Sequence, residues 1–182
     1  MHMRTKKIVL AALLSALIFV GTSMIKLPTP TGGYIHPGDG FVLLCGLLMG
    51  PLWGGLAAGI GSMLSDLLGG YPVYAPATFV IKALVAVVCA LTCRRLPFDP
   101  ADKNARIRLI FAGALGEICM VAGYFVFEIF LLSILNHTDV SAGVIAALAG
   151  IVPNLIQGGF GIVIMILLYP VLQQASERYL AE

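Results

Sequence analysis

Asp66, Lys82, Glu117, Glu128, Asn154 and Gln157 all stand inside stretches of sequence that are otherwise close to pure hydrocarbon. Their spacing is helical. Glu117, Tyr124 and Glu128 are seven and four residues apart, which puts all three on one helix face. Thr78 and Lys82 are four apart, and Asn154 and Gln157 are three apart, beside Gly158 and Gly161. Ionisable groups at membrane depth are costly, so they face a cavity or pair with one another. Carboxylates, an ammonium, amides and phenols on converging faces can grip a small polar molecule. Bond-breaking chemistry needs more: a nucleophile beside a base, or a cluster of metal ligands. Neither constellation is present. The four cysteines, Cys45, Cys89, Cys93 and Cys119, fall inside or at the ends of apolar runs and read as small packing residues. No catalytic residue, metal or cofactor is expected.

The elements that position these groups are membrane helices. The chain is 59% hydrophobic and only 11% charged, with a mean hydropathy of +0.99. A soluble domain carries about 25% charged residues, so this chain cannot coat a water-facing globule. A bilayer core takes about 20 apolar residues per helix. Six candidate spans follow, at roughly 8–26, 38–50, 51–69, 76–93, 107–134 and 144–172. The second and third meet at "MGPLWGG", with Pro51 placed as a first-turn residue. The fold expected is an all-α integral membrane protein, one domain over residues 1–182, with six transmembrane helices. A removable signal peptide is not expected, because the first apolar run is long and lacks a small-residue cleavage site. A net charge of +2 gives no argument for nucleic acid.

Lys and Arg set the orientation. Arg4, Lys6 and Lys7 precede the first span, Arg94, Arg95, Lys103, Arg106 and Arg108 surround the loop between the fourth and fifth, and Arg178 follows the sixth. Both termini are therefore expected in the cytoplasm. The stretch "TPTGGYIHPGDGF" then becomes an outer loop, and most intramembrane polar groups fall in the outer half. Its glycines permit positive φ and close backbone approach, while its prolines restrict it. That composition suits a compact lid, over residues 27–39, carrying Gly32, Gly33, Tyr34, His36 and Gly38.

Several residues carry two open readings. Lys82 pairs with Asp66 or Glu117, or else contacts ligand. Asp39 is a helix N-cap or a ligand contact. His36 is a solvated loop residue or part of the lid. Tyr71 and Tyr74 are interfacial belt aromatics or pocket walls. The substrate-binding set expected is His36, Asp39, Tyr74, Lys82, Glu117, Tyr124, Asn154 and Gln157. On the first span, Ala12 and Ala16 form a small-xxx-small pair, which lets another helix approach closely. That helix is either another span of this chain or a partner's.

Six short spans, A-x-x-x-A on the first, a Gly/Pro-rich outer loop, and the block "GYIHPGDGFVLLCGLLMGPLWGGLAAGIGSMLSDLLGGYPVYAPATFVIKALVA" together resemble the substrate-binding S components of energy-coupling factor (ECF) vitamin transporters. The block looks most like the subgroup linked to pyridoxine and hydroxymethylpyrimidine. The resemblance covers nearly the whole chain. It implies capture of a small water-soluble vitamin from outside, and partnership with a transmembrane coupling subunit and two ATPase subunits in the cell membrane. ATP hydrolysis would then topple the S component so that its pocket faces inward. The resemblance also places the coupling face at Ala12 and Ala16, and the pocket among the fourth to sixth spans. The chain has no phosphate-binding G-x-x-x-x-G-K-[ST] loop of its own. The alternatives are an S component for another nutrient such as pantothenate, a ligand-free channel or assembly protein, and a membrane enzyme, for which no constellation is found.

Overall fold

The computed structural model describes residues 3–95 and 104–181. The cationic loop expected between the fourth and fifth spans lies largely outside those residues, Lys103 included. Five helices run α1 Met3–Met24, α2 Asp39–Leu68, α3 Ala75–Arg95, α4 Ala105–Leu135 and α5 Val140–Ala181. All five are long and apolar enough to cross a membrane. Their outer surface is hydrocarbon: Leu13 and Val20 of α1, Phe130 of α4, and Ile145, Phe160 and Leu167 of α5 are exposed. The polar groups lie inside, with Lys82 and Asp39 at 0% exposure. This inside-out distribution is what a lipid solvent demands, because nothing in hydrocarbon can solvate a charge.

Five helices stand among the described residues where six spans were expected, because the second and third spans follow one another without a loop as the two arms of α2. Within α2, Gly50 has φ 77° and ψ −178°, a region essentially confined to glycine. Pro51 follows it directly, as expected for the first turn of a helix. The two arms of α2, 39–49 and 51–68, fold back on each other. A Cβ on Gly54 would lie 2.9 Å from the Cα of Gly46, a contact no straight helix makes. Gly46 in turn packs on the backbone of Ala86 in α3. Small residues thus let three backbones close to near contact, where dispersion is strongest. The hairpin also returns Asp66, at the end of the second arm, to the side of the molecule where Asp39 begins the first.

The other differences are at helix ends. α5 has 42 residues, about 63 Å at 1.5 Å per residue, and it continues through both Pro153 and Pro170 to Ala181. The segment between α1 and α2 is not purely irregular. Strands β1 Leu27–Pro28 and β2 Tyr34–Ile35 pair antiparallel, with Leu27 opposite Ile35 and Pro28 opposite Tyr34. Gly32 turns the chain between them at φ 82°. The lid is therefore a miniature hairpin.

The α2 turn should resist substitution. Gly50→Ala would force a side chain into a glycine-only region, and the guanidinium of Arg94 lies where the Cβ would go. A loss of about 1–3 kcal/mol is expected, read as a lowered unfolding midpoint in detergent. An unchanged midpoint would show that the hairpin tolerates a different turn.

Candidate functional site

At the centre lies an ion pair. Lys82 Nζ of α3 donates to Asp39 Oδ1 at 2.5 Å, and neither side chain has exposed surface. The same ammonium donates to Met120 Sδ at 2.9 Å and stands 5.3 Å from the centroid of the Tyr124 ring. Asp39 is thus the partner of Lys82, in place of Asp66 or Glu117. Nor does Asp39 cap its helix. Gly38 occupies the N-cap position without a side-chain bond, and the Asp39 carboxylate turns inward because a buried ammonium is the stronger partner.

Gln157 of α5 links this pair to the lid. Its Nε2 donates to Asp39 Oδ2 at 2.6 Å, and its Oε1 accepts the backbone N–H of His36 at 2.8 Å. His36 Nδ1 accepts the N–H of Gly38 at 3.1 Å. The surrounding protein desolvates the His36 ring and holds its pKa down, to about 3, against the pull of Asp39. The imidazole is therefore neutral at physiological pH, as an Nδ1 acceptor must be.

Two further bonds fasten the lid to the helices. Tyr34 donates from its hydroxyl to Asp66 Oδ1 at 2.6 Å, and Thr31 donates to Glu128 Oε1 at 2.7 Å. Burial, then the bond to Asp66, pushes the Tyr34 phenol up, so it stays a donor. Its ring packs on Tyr71 at 4.5 Å between centroids, with the Lys26 ammonium 4.4 Å from its own centroid. Tyr74 donates to the carbonyl of Thr31 at 2.8 Å. Only Gly32 of the expected lid glycines has positive φ. Gly33 and Gly38 serve by their lack of bulk: a Cβ on Gly38 would lie 3.1 Å from the backbone N of Thr22, and one on Gly33 would touch the Tyr74 ring at 3.4 Å.

Under the lid is a cavity of about 30 Å³. Thr29, Gly33, Tyr34 and His36 form its cover, and Asp66, Tyr74 and Thr78 line it from α2 and the start of α3. Tyr124 and Glu128 of α4, with Asn154 and Gln157 of α5, complete it. The structure thus brings His36, Tyr74, Tyr124, Asn154 and Gln157 of the expected set to one place. Asp39, Lys82 and Glu117 do not line it. Glu117 packs beside Gly158 and Gly161, with both oxygens buried and without a hydrogen-bond partner among the described residues. Sequence reading left Asp66 and Glu128 undecided between ligand and pairing, and it missed Thr29 and Thr31. An acid in the outer half of a span is the signal that marks the first two. Nothing local marks the threonines, which enter through the lid's tertiary contact.

On α1, Ala12 and Ala16 are exposed, while Leu14 and Ile18 are buried. Ser15 donates to the Ala57 carbonyl at 2.8 Å, and Ile18 packs at Gly61. The alanines instead line an open groove of about 470 Å³ beside Trp53, Leu56 and Ile60.

Residues 2–174 match the family model described as "ECF-type riboflavin transporter, S component". The chain belongs to this family of ECF transporter S components. Its members are the substrate-binding subunits of transporters, not enzymes, and they pair with a transmembrane coupling subunit and ATPases. The fold agrees. A solved structure described as the S component of a bacterial ECF transporter superposes with a TM-score of 0.71 at 24% identity, covering 94% of this chain and 97% of that one. A relative from Pyrococcus woesei, named only as an uncharacterized protein in a gap 3' region, is 37% identical over 108 residues, which is 59% of this chain and 68% of that protein.

Two outcomes test this S component's inner network. Lys82→Met leaves Asp39 buried without a counter-ion, a cost of about 3–5 kcal/mol. Lys82→Met with Asp39→Leu removes both charges and should regain most of that loss in thermal unfolding. A double variant no more stable than the single would show that the pair is not the controlling contact. His36 gives a pH signature. Its folded pKa of about 3 lies below the ordinary 6.5, so the unfolded chain takes a proton that the folded lid refuses. Stability is complete above pH 6.5 and declines as pH falls toward 3. His36→Asn keeps an acceptor for Gly38 and should flatten that decline in unfolding midpoints measured at pH 7.5 and 5. Parallel declines would take His36 out of the titration.

Proposed function

We propose that this S component captures pyridoxine or hydroxymethylpyrimidine from outside the cell membrane, with both termini in the cytoplasm, and delivers it through the coupling subunit. The observation that carries this reading is the lining of the cavity, where a lid closes over tyrosines, an amide and carboxylates. Tyr74 and Tyr124 offer ring faces to a single aromatic ring, and Asn154 offers both a donor and an acceptor. A hydroxymethyl-bearing pyridine or pyrimidine presents hydrogen-bonding groups around a small flat ring, which matches that lining. The exposed Ala12 and Ala16 support the coupling face, since small residues are wanted where another helix docks and not where lipid does.

Riboflavin is the second reading, favoured by the description of the matching family. It has three fused rings and a sugar-like chain, and it fits a roomier pocket. Mass spectrometry of the denatured, purified protein separates the two. A released single-ring vitamin is expected; a flavin, visible by its yellow absorption, would sink the pyridoxine or hydroxymethylpyrimidine reading and leave the subunit assignment intact. Ala12→Trp and Ala16→Trp should leave ligand binding by the isolated chain close to wild type, yet abolish pull-down of the coupling subunit and ATP-driven uptake in vesicles. If they abolish binding by the isolated chain instead, the alanines serve the fold and not the coupling face.

A further inference from the structure

Asp66 and Glu128 each use one carboxylate oxygen to hold the lid, through Tyr34 and Thr31 respectively. Their other oxygens, Asp66 Oδ2 and Glu128 Oε2, are buried and have no hydrogen-bond partner among the described residues. Both side chains are nearly inaccessible, at 4% and 3% exposure, and both line the cavity. Gly150 of α5 carries no side chain, and Glu128 Oε2 packs into the space that a Cβ there would fill. An unsatisfied buried acceptor costs about 1–3 kcal/mol, more when charged. Two of them in one small cavity are acceptors waiting for donors.

Apart from the Asn154 amide, most donors in and around the cavity, and the cations nearest to it, are already engaged. Lys82 is bound to Asp39 and Met120. Gln157 donates to Asp39. Tyr34 and Tyr74 donate to Asp66 and to the Thr31 carbonyl. Thr78 and Tyr124 share one hydrogen bond at 3.0 Å, and the Thr78 hydroxyl also lies beside the Asp66 carboxylate. Lys26 does not line the cavity; it reaches the Ser65 carbonyl at 3.3 Å and the outer face of the tyrosine pair. A ligand carboxylate entering here would meet two carboxylates and no available ammonium among the described residues.

We infer that the free oxygens of Asp66 and Glu128 are the ligand's anchor points, and that the substrate is a compact aromatic heterocycle bearing a cationic or N–H-rich nitrogen. Vitamins that carry a carboxylate are rejected. The inference rests on the reading of this cavity as the substrate site, and sharpens it. An amine-bearing hydroxymethylpyrimidine satisfies it better than pyridoxine, whose polar side groups are all hydroxyls. Lid and ligand meet on the same two side chains, one oxygen to each.

The test is calorimetric titration of the purified chain, freed of endogenous ligand, with rings that differ mainly in charge. Pyridoxamine, pyridoxine and pyridoxic acid share one pyridine and carry an ammonium, a hydroxyl and a carboxylate. The amine-bearing hydroxymethylpyrimidine, pantothenate and riboflavin extend the panel. The expected result is tight binding of an amine-bearing ring and rejection of pyridoxic acid and pantothenate. Asp66→Asn and Glu128→Gln preserve shape and an acceptor for Tyr34 and Thr31, and each should weaken that binding about 10- to 100-fold. Thermal unfolding of each variant checks its fold; if one does not fold, the ring series on the wild type still decides. Pyridoxic acid, pantothenate or riboflavin binding as tightly as the amines would overturn the inference while leaving the chain a substrate-binding subunit. Failure of every amine to bind overturns it too. Unchanged affinity in two folded variants would do the same. Loss of coupling-subunit pull-down by the wild type would instead strike the subunit reading itself.

Discussion

A lysine with no exposed surface cannot remain charged in a bilayer unless an anion stands against it, and Asp39 is that anion. The contact constrains much of the molecule. It ties the start of α2 to the middle of α3. It positions the Asp39 carboxylate so that its second oxygen can accept Gln157 of α5. Gln157 then has its carbonyl oxygen free for the backbone of His36. One desolvated ion pair thereby registers three helices and the lid in a single hydrogen-bonded chain. Each link is worth more here than in water, because the low dielectric strengthens it and leaves no solvent to compete.

The hairpin of α2 makes that chain possible at the right end of the molecule. Had 39–68 run as one straight helix, Asp39 and Asp66 would stand about 40 Å apart at 1.5 Å per residue. The positive φ of Gly50, with glycines at 46 and 54, folds the element back. Both acids then serve the same face, Asp39 underneath through Lys82 and Asp66 at the cavity wall through Tyr34. The lid is stabilised by side chains from separate elements: Asp66 on α2, Glu128 on α4, Gln157 on α5 and Tyr74 before α3. Opening it breaks several bonds, but each is replaceable by water on the outer surface. This distribution suits a cover that must both close and release.

A division of labour follows between the two buried layers. The deeper layer, with Lys82, Asp39, Gln157 and Met120, is self-satisfied and holds the fold. The upper layer, with Asp66, Glu128 and the tyrosines, lines the cavity and keeps one carboxylate oxygen of each acid without a partner among the described residues. Recognition groups that were fully paired within the protein would offer a ligand nothing, whereas each structural group left unpaired in hydrocarbon costs stability, as the two oxygens of Glu117 do.

The sequence determined that the chain spans a membrane, because its apolar runs leave too few charges to face water. It determined most helix ends to within a few residues, the start of α1 and the end of α5 excepted, and the inward faces of Glu117, Tyr124 and Glu128, because helical periodicity is local. The Gly50–Pro51 break was legible in "MGPLWGG", although the arms it separates form one bent element. Which polar groups would meet was not legible. Lys82 lies 43 residues from Asp39 in the chain, and Thr31 lies 97 from Glu128. Several acids compete for one lysine in any sequence reading, and only the packing of backbones through Gly46, Gly54 and Gly61 decides which carboxylate arrives within bonding distance. Tertiary structure therefore decided which acids are paired. It buried Asp39 against the ammonium and left one oxygen each of Asp66 and Glu128 without a hydrogen-bond partner among the described residues, because hydrogen-bond saturation is a property of three-dimensional neighbours and not of residue type.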